Sequence, residues 1–119
     1  MKYRNQTIQE ISSLKKNWNQ YGAEPLSEKV LSLADRIVSI LPHEPFIAPT
    51  ACNTIQFEWE FPDKDYLEFE IGDSDFVKIF RMFPNGTIDS FSVPVEDTDL
   101  LCRVLLDFIK PYRISQLIK

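Results

Sequence analysis

The chain has 119 residues, 44% of them hydrophobic and 26% charged, a composition that is typical of a single globular domain and excludes disorder of the whole chain. Its net charge of −5 argues against binding to a phosphate backbone, so we expect no nucleic-acid partner. Residues 1–16 contain no apolar run that could serve as a signal peptide or anchor, which predicts a cytoplasmic protein with no membrane partner.

Two helices are predicted in the N-terminal part of the chain. Thr7 followed by Glu10 is a capping-box pattern, and apolar residues then recur every three or four positions, which predicts a first helix from about Thr7 to Trp18. Ser27 is expected to cap a second helix, which Pro42 ends. The prolines at 42, 45 and 49 predict an extended connector over residues 41–50.

Two strands with alternating apolar and polar residues are predicted after the connector. Residues 54–61 and 66–71 both follow this period-two pattern, which is typical of strands with one buried face. A three-residue loop at 62–64 places apolar residues opposite apolar residues, and it sets Glu58 directly opposite Glu68.

Two further strands complete a predicted four-stranded antiparallel meander. Residues 76–83 are apolar on both faces, which predicts a strand that is covered on both sides. Asn85-Gly86 predicts a two-residue type I′ hairpin, and in this register Phe80 faces Phe91.

The last predicted element is a C-terminal helix. A wide apolar stripe follows the acidic residues after Pro94, and Pro111 is expected to end or kink the helix. The predicted fold class is therefore α+β: a single-domain, two-layer sandwich of two N-terminal helices, a four-stranded sheet and a C-terminal helix. The pattern leaves open which face of the sheet the C-terminal helix covers.

Acidic residues are concentrated on the first two predicted strands and their turns. Between Asn53 and Asp75 the chain has eight acidic residues and one basic residue. An acidic and partly apolar sheet face is typical of a module that binds a basic partner protein, as an inhibitor or an accessory protein. The predicted partner-binding residues are Glu58, Glu60, Glu68, Glu70, Tyr21, Phe80, Met82 and Phe91.

Two other functions compete with this hypothesis. Paired strand glutamates can hold Mg²⁺ or act as an acid and a base, so a carboxylate-dependent, metal-assisted hydrolase is one alternative. A homodimer built on Phe76, Phe80, Met82 and Phe91, with no other activity, is the second alternative. The chain has one histidine, His43, and three scattered glycines, so it contains no catalytic or phosphate-binding motif. We therefore expect no enzyme, no cofactor and no bound metal.

The segment between the two predicted helices, "NWNQYGAEP", is either a ligand-binding site or a structural corner. Gly22 is expected to end the first helix in the left-handed conformation, while the Tyr21 hydroxyl has no evident partner. With its Trp-x-x-Tyr-Gly-Ala-x-Pro spacing, this segment resembles a family of small, functionally unassigned bacterial proteins. The resemblance extends to Pro49-Thr50 and Glu58-Trp59, and it implies no substrate or cofactor.

Overall fold

A computed structural model describes the backbone of residues 6–118 and the side chains of residues 6–110. Over this range the chain forms an α+β domain with one antiparallel five-stranded sheet, in which the strands follow one another in sequence order. The helices are α1 (Ile8–Ser12), α2 (Glu28–Ile40) and α3 (Thr98–Ile118). The strands are β1 (Phe46–Pro49), β2 (Ile55–Glu60), β3 (Tyr66–Ile71), β4 (Phe76–Met82) and β5 (Ile88–Pro94).

Only α1 lies near the N-terminus, and it is shorter than the sequence pattern predicts. The capping box is present: the Thr7 hydroxyl accepts a hydrogen bond from the Glu10 backbone N–H, and the Glu10 carboxylate accepts one from Thr7. The predicted continuation to Trp18 is wrong. Asn17 has a φ of 65°, and its N–H donates to the Ala23 carbonyl across a loop, so this stretch cannot continue a right-handed helix. Gly22 has the expected left-handed φ of 86°, but it lies within this loop and not at the helix end.

Helix α2 agrees with the prediction at both ends. The Ser27 side chain accepts a hydrogen bond from Val30 N–H and caps the helix, and the helix ends at Ile40, just ahead of Pro42. Its buried stripe consists of Val30, Ala34 and Ile37. These residues form part of the single hydrophobic core of the described residues.

The prediction of four strands is wrong, because part of the proline-rich connector forms β1. This strand pairs with β2, and Ile47 lies opposite Phe57. Proline is compatible with this position because β1 is at the edge of the sheet. Thr50 N–H donates to the Thr54 carbonyl, so these two residues form a hydrogen-bonded pair. Bonded and non-bonded pairs alternate along an antiparallel ladder, so the nitrogen of the neighbouring Pro49 points away from β2.

The predicted register of β2 and β3 is confirmed. Glu58 lies opposite Glu68, and Trp59 lies opposite Leu67. The three-residue loop between these strands is closed by a hydrogen bond from Phe61 N–H to the Asp65 carbonyl.

The predicted register of β4 and β5 is wrong by one residue. Phe83 N–H donates to the Thr87 carbonyl, which makes the loop three residues long, and Gly86 takes the left-handed position with a φ of 89°. Phe91 consequently pairs with Ile79 and not with Phe80. Since side chains alternate along a strand, this shift places Phe91 on the opposite face of the sheet from Phe80.

Helices α2 and α3 cover the same face of the sheet, which we call the inner face. The ring of Phe108 on α3 lies 5.4 Å from the ring of Phe61, and it also contacts the Arg81 guanidinium of β4 at 5.0 Å. The Cys102 thiol of α3 donates to the Ile40 carbonyl at the end of α2. The inner face is therefore the buried one, and we call the opposite face the outer face. Pro111 does not end α3, which continues to Ile118.

Candidate protein-binding surface

The outer face of the sheet is acidic at its centre. Alternation along β2 and β3 places the four predicted glutamates, Glu58, Glu60, Glu68 and Glu70, on this face. Lys78 is the one basic side chain that the five strands place there, and it lies opposite Glu70. Within the five strands, the outer face therefore carries four carboxylates and one ammonium group.

Tyr66 links the two carboxylates that face each other on β2 and β3. Its hydroxyl oxygen lies 3.0 Å from Glu58 Oε1 and 2.6 Å from Glu68 Oε1. A phenol has one proton, so it donates to one carboxylate at a time. The ring of Tyr66 packs edge-on against Phe80, with 6.1 Å between the ring centroids, which holds the hydroxyl in place. We call Glu58, Tyr66 and Glu68 the outer cluster.

Burial and like charge act together in the outer cluster. Burial raises the pKa of Glu68, the charges of Glu58 and Glu70 raise it further, and the hydrogen bond from Tyr66 opposes the shift. The pKa of Tyr66 is raised by burial and by its two carboxylate neighbours, so the phenol remains a hydrogen-bond donor at neutral pH. The cluster thus concentrates negative charge that its own tyrosine compensates only in part.

The remaining two glutamates are arranged differently. The Thr54 hydroxyl donates to Glu70 Oε2 at 2.8 Å, which orients that carboxylate beside the outer cluster. Glu60 is exposed at the end of β2. Among the described residues, no group of three or more His, Cys, Asp or Glu side chains is placed to hold a metal ion. The metal-assisted hydrolase stays a prediction from sequence.

An apolar strip adjoins the glutamates on the outer face. Phe80 and Met82 of β4 are half-buried, while Phe76 is 49% exposed and Ile88 of β5 is 57% exposed. Phe91, which the sequence places on this surface, lies on the inner side of the sheet and is not part of it. The outer face therefore combines an acidic centre with an apolar strip along β4.

Tyr21 lies at a separate corner, beside β1. Its side chain is 91% exposed, so the hydroxyl faces away from the chain. The surrounding loop is held by its asparagines: Asn19 Oδ1 accepts hydrogen bonds from the backbone of Tyr21 and Ala23, and Asn17 Oδ1 accepts one from Gly22. An open cavity of about 600 Å³ borders this loop, and it is lined by Gln6, Trp18, Asn19, Tyr21, Ala48, Pro49 and Ala51. The structure does not bring Tyr21 into contact with the four glutamates.

Sequence reasoning missed Tyr66 and Phe46 among the residues of this surface. Tyr66 stands two positions before Glu68 in an alternating strand, and that spacing already places both side chains on one face. Phe46 lies opposite Glu58 on β1, and it was missed because the strand itself was missed.

No protein-family model, curated protein or solved structure matches the chain. The resemblance of the segment at Trp18–Pro25 to a bacterial family stays a prediction. None of the helices in the described part of the chain combines the length and the apolar character needed to span a membrane.

Proposed function

We propose that this chain is a cytoplasmic, non-enzymatic module that binds a partner protein with a basic surface, and that the outer face is the binding surface. The observation that supports the proposal most directly is the outer cluster. Glu58 and Glu68 lie directly opposite each other, with a single phenol hydroxyl between their carboxylates. The opposite face of the sheet carries α2 and α3, and no helix of the described residues covers the outer face.

A basic partner would compensate the negative charge of the outer cluster, which the cluster's own tyrosine compensates only in part. Like charges directly opposite each other on neighbouring strands are destabilising, and an incoming Lys or Arg side chain relieves that repulsion. A cation near Glu68 also lowers the pKa of this carboxyl, because opposite charge favours the ionised form. Binding should therefore be faster and tighter at low ionic strength.

The apolar strip supplies the other component of a protein interface. Stable interfaces have an apolar core that excludes water and a polar rim that sets orientation. Phe80 and Met82 are half-buried beside the outer cluster, Ile88 of β5 lies opposite Met82, and Phe76 lies at the other end of β4, beyond Lys78. In this arrangement the aromatic residues anchor the partner, and the glutamates select for its charge.

The test begins with capture of the partner from the native host, followed by its purification and by affinity measurements with variants. The double variant Glu58→Lys with Glu60→Lys changes the charge of the outer face by four units. The double variant Asp35→Lys with Asp107→Lys is the matched control, since it makes the same change on exposed positions of α2 and α3. We expect the first variant to weaken binding at least about tenfold, and the control to bind nearly as well as the wild type.

Three results contradict the proposal. The first is an equal loss of affinity in both double variants, which indicates a general effect of net charge. The second is a partner whose cross-links map to α2 and α3. The third is an affinity that does not depend on salt concentration.

A further inference from the structure

The two edges of the sheet are built differently. β1 is four residues long, contains Pro49, and is approached by the chain itself, since Gln6 N–H donates to the Ile47 carbonyl. β5 is seven residues long, pairs only with β4 within the described residues, and is exposed at every position except Val93. β5 is therefore the open edge.

The hydrogen bonds at the two ends of β5 determine which backbone groups are free. Phe83 N–H donates to the Thr87 carbonyl, and Val95 N–H donates to the Asp75 carbonyl. Bonded and non-bonded positions alternate in an antiparallel ladder, so the odd-numbered residues of β5 bond to β4. The N–H and C=O groups of Ile88, Ser90 and Ser92 consequently point away from the sheet, and no other described strand pairs with them.

The residues of β5 do not protect this edge. Natural edge strands are commonly protected by lysine, by bulges or by covering loops. β5 contains no Lys or Arg, its single charge is Asp89, and Pro94 comes only at its end. Phe91 is 44% exposed on the inner side of the strand. An exposed edge with free backbone groups and an exposed aromatic ring is a pairing site.

We propose that β5 pairs with β5 of a second copy of this chain, antiparallel about a two-fold axis, so that two five-stranded sheets become one continuous sheet. The register we assign places Phe91 opposite Phe91 of the second copy. In this register Ser90 lies opposite Ser92, Asp89 lies opposite Val93, and Ile88 lies opposite Pro94.

Charge and hydrogen bonding favour a second copy in this register. Each copy has a net charge of −5, so contact between copies is favoured where the charge density is lowest, and β5 carries one charge. The register keeps the two Asp89 carboxylates apart and brings together two exposed phenylalanine rings. The outward N–H groups of Ser90 and Ser92 find carbonyl acceptors on the second copy, while Ile88 lies opposite Pro94, which has no N–H and whose carbonyl already accepts a hydrogen bond from Asp97 N–H. This pairing involves the edge and leaves the outer face accessible.

Light scattering coupled to size-exclusion chromatography tests the dimer. We expect a mass twice the 13.9 kDa of the chain. Ser90→Pro should convert the dimer to a monomer, because it removes an outward N–H without removing a bond to β4. The matched control Ser90→Ala keeps the N–H and should remain dimeric. A monomeric wild-type chain at all concentrations, or a Ser90→Pro variant that is folded and dimeric, overturns the proposal.

Cysteine cross-linking tests the register even where the proline variant does not fold. In a chain carrying Cys52→Ser and Cys102→Ser, we expect Phe91→Cys to form a disulfide-linked dimer on mild oxidation, because Cβ atoms of directly opposed residues lie about 4.5–5.5 Å apart. Asp89→Cys should not cross-link, since the two copies of this residue lie several positions apart. Equal cross-linking at both positions, or cross-linking at Ser90→Cys in place of Phe91→Cys, contradicts the assigned register.

Discussion

Two polar clusters lie on opposite faces of the sheet, and their charges are compensated in different ways. On the inner side, Asp65 is only 4% exposed and accepts hydrogen bonds from Arg81 Nη2 at 3.1 Å and Nε at 3.4 Å. The Arg81 guanidinium also lies over the rings of Phe83, at 4.4 Å, and Phe108, at 5.0 Å. On the outer side, Tyr66 separates two carboxylates and no basic side chain joins them in the described hydrogen bonds. We call Asp65 and Arg81 the inner pair.

The difference follows from access to water. A charge that is buried beneath helices is tolerated only when it is paired and hydrogen-bonded, which the inner pair achieves within the chain. The outer cluster is half-exposed, so water compensates its charge in the isolated chain, and a basic partner can replace that water. A buried pair whose charges cancel thus indicates a structural role. An accessible cluster with excess negative charge indicates a binding role.

The largest expected effect on stability is a difference in side-chain packing between the inner and outer faces. Phe69→Ala on the inner face should lower the free energy of unfolding by about 4 kcal/mol, because the ring is fully buried and its removal leaves a cavity. Phe80→Ala on the outer face should cost less than about 2 kcal/mol, since its ring is only half-buried. Urea denaturation measures both values. Equal losses would mean that the outer face is as closely packed as the inner face.

Breaking the inner pair should give the next largest effect. Asp65→Ala leaves the Arg81 guanidinium without its carboxylate in a largely buried position, which should cost about 3 kcal/mol in urea denaturation. The double variant Asp65→Leu with Arg81→Met removes both charges and should recover most of that loss. A double variant as unstable as the single variant would assign the effect to packing and not to charge.

Removing the bridging hydroxyl of the outer cluster should have a smaller effect. Tyr66→Phe eliminates a hydrogen bond at a half-exposed site, so we expect a loss of about 1 kcal/mol in the free energy of unfolding. The same change should raise the pKa of Glu68 further, because the bond from Tyr66 favours the ionised carboxylate. Titration of the Glu68 carboxyl by NMR measures this shift, and an unchanged or lower pKa would argue against the hydrogen bond.

The smallest expected effect concerns the charge of Glu68 itself. Folding raises the pKa of this carboxyl above its ordinary value of 4.5, so the group stabilises the fold when protonated, and this contribution is lost as pH rises through the raised pKa. Glu68→Gln should therefore stabilise the chain at pH 7, by less than about 1 kcal/mol because solvent screens a half-exposed site. Thermal melts of both proteins should converge below about pH 4.5. A constant difference at all pH values would contradict this explanation.

The sequence predicts the centre of the sheet better than its edges. Alternation over residues 54–71 is regular on two adjacent strands, and an odd-numbered loop is needed to place apolar residues opposite apolar ones, so the three-residue loop at 62–64 predicted the Glu58–Glu68 pair. β1 was not predictable because Pro49 within it and Pro45 just before it are compatible with either a loop or an edge strand. The end of α1 was missed because the side chains of Asn17 and Asn19 bond to backbone N–H groups in the loop, which competes with helix formation.

The turn before β5 shows why a local sequence signal is not enough to predict the register of a hairpin. Asn85-Gly86 is compatible with a two-residue loop or with a three-residue loop that ends in a left-handed glycine, and both satisfy local chemistry. The structure has the longer loop, which moves Phe91 from the outer face to the inner side. One residue of loop length thus changes which side chains belong to the candidate surface.

The sequence by itself determined the α+β class, the capping of α1 and α2, and the acidic character of β2 and β3, because these depend on residues close together in the chain. Only the tertiary structure decided that α3 lies on the same face as α2, that β5 is an open edge, and that Asp65 is neutralised by Arg81 while Glu58 and Glu68 are not. These outcomes depend on contacts between residues far apart in sequence. Several such arrangements satisfy the same local pattern, and packing of the whole core selects among them.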